Sequence, residues 1–166
     1  NRQFRFCPRS DGMFNIGSLS YHIGEEDRHH GYYAVGYALG SSPSETSADK
    51  TFNYALWTLI EQPLLHIGES HLGAMWQGGT SPASRSTCRH YWGAGLIWSN
   101  IPPRMTQVGL VVNRALYADG RETDVELTGS FPVCNHFTLQ PAVHCINTNG
   151  NYTAAAQLRA ILEFGN

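Results

Sequence analysis

Charge is what this 166-residue chain has least of: Asp, Glu, Lys and Arg make up 14%, against roughly 25% in an average soluble protein. Lysine is nearly absent, with Lys50 beside ten arginines. A net charge of −2 and no basic cluster exclude a phosphate-neutralising nucleic-acid surface. No apolar run reaches 18 residues, so membrane insertion is not expected. CxxC pairs, HExxH, a GxSxG elbow and the common phosphate-binding glycine loops are also missing, which removes the usual zinc, serine-hydrolase and nucleotide signatures.

What replaces charge is glycine, serine, threonine and asparagine around aromatic and β-branched runs. The runs include 12-GMFNIGSLSYHIG, 32-YYAVGYALG, 51-TFNYALWTLIE, 87-TCRHYWGAGLIWS and 106-TQVGLVVNRALY. Their spacing predicts one all-β domain over 1–166, an antiparallel sandwich or barrel of immunoglobulin-like or jelly-roll-like type with room for one short helix. Asp119-Gly120 marks a hairpin turn. Segments 44–50 and 77–86 read as loops, and Ile101-Pro102-Pro103 ends a strand. Glycines 36, 73, 93 and 95 suggest bulges or close backbone approach. In 152–164, Tyr152, Ala154, Ala156, Leu158, Ala160 and Leu162 share one face at period two, with Gln157, Arg159 and Glu163 opposite. That pattern reads as a strand, although the composition also suits a helix.

Four cysteines allow three disulfide pairings. Cys134–Cys145 would close a short hairpin or loop, leaving Cys7–Cys88 to tie the first strand to mid-chain. Such bridges imply an extracellular or periplasmic compartment. A first residue Asn1 with no apolar leader fits a mature, signal-cleaved product.

Eight histidines raise the question of a metal. His66 and His71 are five apart and face opposite sides of one strand unless Gly68 permits a bulge. Of the adjacent His29 and His30 in 24-GEEDRHHG, only one can point toward a given site, so that stretch reads as a polar hairpin loop. A composite zinc site from His66, His71 and His29 is the one cofactor arrangement suggested; no cofactor is required. For ligand binding, Trp76 and Trp92 stand in polar, glycine-rich surroundings. With Tyr32 and Arg89 they suit stacking on a sugar and hydrogen-bonding its hydroxyls.

The early cysteine in NRQFRFC, the charge-poor surface, the length and the closing NYTAAAQLRAILEF together resemble the receptor-binding domain of a chaperone–usher fimbrial tip adhesin. The resemblance implies a non-catalytic lectin-like domain at the cell surface, exported through the periplasm. It would recognise a carbohydrate or a host or abiotic surface, and partner a pilin domain and fimbrial subunits. Two other readings stand beside it. One is a small secreted hydrolase using a histidine-bound metal or a cysteine nucleophile; the other is a viral or phage receptor-binding head.

Overall fold

The computed structural model describes residues 12–24, 31–43, 50–82, 86–103 and 105–163. Nine strands form: β1 (Met13–Ile23), β2 (Gly31–Pro43), β3 (Lys50–Ile67), β4 (Ser70–Thr80), β5 (Cys88–Ile101), β6 (Met105–Tyr117), β7 (Arg121–Cys134), β8 (Phe137–Thr148) and β9 (Asn151–Leu162). The all-β, antiparallel expectation holds. The strands lie in sequence order in a single sheet, so the order is an up-and-down meander, without the crossovers of immunoglobulin-like and jelly-roll sandwiches. No helix occurs among the described residues, and the 152–164 segment is a strand.

Turn chemistry explains much of the meander. The last hairpin turns on Asn149-Gly150, whose φ angles of 54° and 97° suit the type I′ turn that right-twisted strands prefer. Asp119-Gly120 also sits in a hairpin, closed by Tyr117 N–H donating to Gly120 C=O at 2.8 Å. Its glycine serves a different purpose from the one expected. A Cβ there would overlap the Asn149 side chain, whose Oδ1 accepts from Arg121 N–H at 2.8 Å.

Three register shifts occur, at Pro63/Leu65, Cys88/His90 and Pro132/Cys134. Two of them carry a proline, which cannot donate to a ladder and is placed at bulges for that reason. Of the four glycines flagged above, 36, 93 and 95 mark close approach, under Trp57, Asn113 and Val111; Gly73 has no such crowding. The 77–86 loop is shorter than expected, because β4 continues to Thr80. The GEEDRHHG residues 25–30, with His29 and His30, lie outside the described residues, as do 44–49 and Cys7.

Among the described residues a conventional core is missing. The chain exposes 12473 Å², whereas a compact soluble chain of 18.4 kDa would expose about 8,200 Å². Only Ala34 and Ala142 are buried apolar residues among those described. Register sorts the side chains onto two faces of different character. One face carries Leu19, Val35, Leu56, Ile60, Ala74, Leu96, Leu110, Val112, Val125, Leu127, Val143 and Leu158, cross-strand partners or period-two neighbours of one another. Of the exposed large hydrophobic residues, all but Phe14, Ile16, Leu64 and Val133 fall on it. The opposite face carries Ser18, Ser20, Glu61, His71, Gln77, Ser99, Gln107, Asn113, Asp124, Glu126, Thr128, Gln140, His144 and Gln157.

Four of the five buried residues other than glycine (Ala34, Ser99, Ser130 and Ala142) lie on that polar face. A flat single layer would bury both faces equally. The sheet therefore curls with its polar face inward, the sense in which a barrel closes.

Candidate functional site

The inward face is a polar lining built across five strands. Gln77 of β4, Gly93 of β5, Asn113 of β6 and Asp124 of β7 occupy one cross-strand row. Gln77 Nε2 donates to Tyr91 Oη at 2.6 Å, and Tyr91 Oη donates to Asn113 Oδ1 at 2.8 Å. This chain crosses directly over Gly93. A Cβ there would overlap the Asn113 amide and press on Gln77, so the bridge requires glycine beneath it.

Diagonally across from Asp124 on β8, His144 Nδ1 lies 3.1 Å from Asp124 Oδ2, while Asp124 Oδ1 is buried and makes no hydrogen bond. Glu126, directly opposite His144 on β8, completes a set of Asp124, Glu126 and His144 whose ligand atoms lie within 4.8 Å of one another. Two residues away, Thr148 Oγ1 donates to Glu122 Oε2 at 3.1 Å. Glu122, Asp124 and Glu126 share this face because strand side chains alternate.

Burial raises the Tyr91 pKa above its ordinary 10.0; the Asp124 charge adds to that rise, and the Gln77 bond opposes it. The folded state therefore favours the protonated phenol. Stability from this source is fully present below the unfolded pKa of about 10 and is lost as pH rises through the folded value. Alkaline unfolding of Tyr91→Phe should show a shallower pH dependence above about pH 10. An unchanged slope would remove Tyr91 from that account.

Of the hollows along the sheet, two are bordered mainly by the polar face. One of 310 Å³ is bordered by Glu61, Pro63, His71, Gly73, Ser99 and Gln107. The other, of 290 Å³, is bordered by Trp57, Leu59, Gln77, Gly79 and Tyr91.

The candidates from sequence fare unevenly. His66 and His71 do share a face, because Gly68 (φ 62°) turns the chain between β3 and β4 rather than bulging one strand. They form a cross-strand pair with ring centroids 6.1 Å apart. The described residues bring no third ligand to that pair; the group with metal-ligand spacing is Asp124, Glu126 and His144 instead. None of these three is a metal candidate from sequence, where Asp124 and Glu126 stand out only as carboxylates, since only the register brings β7 and β8 together.

Trp76 and Trp92 are diagonal neighbours on the apolar face, 39% and 38% exposed. Tyr32 faces the other way, opposite Glu61, and Arg89 sits at the bulge opening β5. The four do not form one site.

The expected Cys134–Cys145 bridge is corrected: both are free, as is Cys88. Cys134 pairs with Phe137, eight residues along β8 from Cys145. That is roughly 26 Å at ~3.3 Å per residue, while a bridge needs Cα atoms within about 7 Å.

Comparison with known proteins adds no relative: no family model, curated protein or solved structure matches the chain.

Proposed function

We propose that these nine strands form part of the wall of a β-barrel embedded in a lipid bilayer, with the apolar face against acyl chains and the polar face lining an aqueous passage for small polar solutes. The observation that carries this reading is the sorting of side chains by face. A soluble sandwich would cover its apolar face with a second sheet, and none is present among the described strands. Lipid satisfies that face without one.

Strand dimensions support the reading. The strands run from 11 to 18 residues, against 5–6 commonly found in globular sheets and 9–11 needed to span a bilayer. Eleven residues cover about 36 Å, or about 28 Å of membrane normal at a ~40° tilt, close to the ~25 Å apolar band of such barrels.

Aromatic residues on the apolar face gather toward its two rims, as interfacial girdles do. Tyr21, Tyr33, Trp98, Phe131 and Phe137 lie toward one rim and Phe52, Tyr54, Trp92 and Tyr152 toward the other, while Tyr37 and Trp76 sit near mid-strand. Among the described side chains, the charged ones that register places on this face, Arg114 and Arg121, sit beside the second rim. The lack of a long apolar helix does not bear on a membrane barrel, because strands cross with alternating rather than continuous hydrophobicity.

The test is reconstitution into phospholipid vesicles carrying brominated acyl chains. Trp76, Trp92 and Trp98 emission should be strongly quenched, and Trp57, on the inward face, should account for the residue. Absence of quenching counts against the barrel.

The adhesin reading keeps one supporting observation, the adjacent exposed indoles Trp76 and Trp92. It requires a chain that is monodisperse in buffer and retains a glycan or surface ligand that Trp92→Ala loses.

A further inference from the structure

Resting on the barrel reading, we infer that the outer edges of β1 and β9 are each paired with an additional strand of opposite direction, and that this partner is not a second copy of these nine strands. In hydrocarbon every backbone N–H and C=O must be satisfied internally, so an open edge is not viable there. Among the described strands, β1 pairs only with β2 and β9 only with β8.

Of the devices that keep a soluble edge from pairing, which are lysine, proline, a bulge or inward charges, β1 carries none and β9 only the inward-facing Arg159. Met13–Ile23 has no proline and no Asp, Glu, Lys or Arg. Asn151–Leu162 has no proline either and one charge, Arg159. Neither pairing contains a register shift. Both strands continue the alternation of their neighbours, so each edge is a flat template of 11 or 12 residues.

Direction decides the partner. Nine antiparallel strands leave β1 and β9 running the same way. Closing β9 on β1, or on β1 of a second copy inserted in the same orientation, would therefore make a parallel seam. An antiparallel wall takes an odd number of further strands. The partner chemistry follows from the template: an extended segment of about 9–11 residues, alternating apolar and polar, with its apolar residues in line with Leu19 and Tyr21 on one edge and Ala156 and Leu158 on the other.

The experiment is amide hydrogen exchange on the protein in membrane vesicles prepared from the cells that make it, where the partner strand is present, combined with cysteine cross-linking between copies at Ser20→Cys and Gln157→Cys in a background where the native cysteines are serine. The expected result is slow exchange at consecutive residues of β1 and β9, with no cross-link between copies. Fast exchange at alternate residues of either edge overturns the inference, because an edge strand bonded on one side protects only every second amide. A cross-link between copies overturns it as well. Paired proline substitutions supply a second reading: Ala155→Pro and Ala156→Pro should both disrupt assembly, and tolerance of either one contradicts pairing on both sides. Failure to insert at all is separately visible as a lack of vesicle association, and it overturns the barrel reading together with this one.

Discussion

Arginine in place of Leu110 or Leu127 should cost about 2–4 kcal/mol of stability in bilayers, the penalty for a cation on the lipid face near the midplane. These leucines oppose each other across β6 and β7, and both are about half exposed (48% and 49%). In a water-soluble protein such exposed positions tolerate substitution within about 0.5 kcal/mol. The measurement is urea unfolding from vesicles. Gln157→Arg is the control at comparable depth, since register places it on the polar face opposite Ala142 and Thr128, and it should change stability little. If the leucine variants match the control, the apolar face meets water.

Gly93→Val is the second large effect, roughly 3–5 kcal/mol. Overpacking contributes about 1–3 kcal/mol. Displacing Asn113 and Gln77 from Tyr91 removes two hydrogen bonds worth about 1 kcal/mol each. The same unfolding assay checks this, with Tyr91→Phe as the comparison that removes the bonds without adding volume. That variant should lose about half as much or less. Equal losses would show that the bridge, and not the space above Gly93, sets the cost.

The β class, the hairpin at Asp119-Gly120 and the strand at 151–162 were legible because each rests on local chemistry: turn residues and period-two alternation. In β9 the apolar and polar sets separate cleanly, and the sequence reading found them. What remained hidden was the destination of the apolar set. Leu110 and Leu127 look alike whether they face a protein core or lipid, and only a fold without a second layer separates the two. The alternation is also blurred elsewhere, because small residues such as Gly36, Ala38, Gly93 and Gly95 fill the inward face where polar ones might signal it.

The site was less legible than the fold. His144 lies about 20 residues along the chain from Asp124 and Glu126 and meets them only through the β7–β8 register. His66 and His71 stand out in the sequence as a pair, but reading 64–76 as one strand puts them on opposite faces, whereas Gly68 turns the chain between two strands and brings them together. Asn149-Gly150, a stronger turn dipeptide than many, passed unnoticed beside the strand it introduces. The cysteine pairing failed for a geometric reason: closeness in sequence within a hairpin does not give closeness across it unless the register agrees.

Lipid dependence of the fold is the most direct test of the central claim. Far-ultraviolet circular dichroism with and without phospholipid vesicles, after dilution from urea, reports it. Bilayer-bound chain should show a strong β spectrum that melts cooperatively, and chain diluted into buffer alone should neither fold cooperatively nor stay monodisperse. A chain that folds to the same β spectrum in buffer, remains monodisperse and ignores vesicles would contradict the membrane wall.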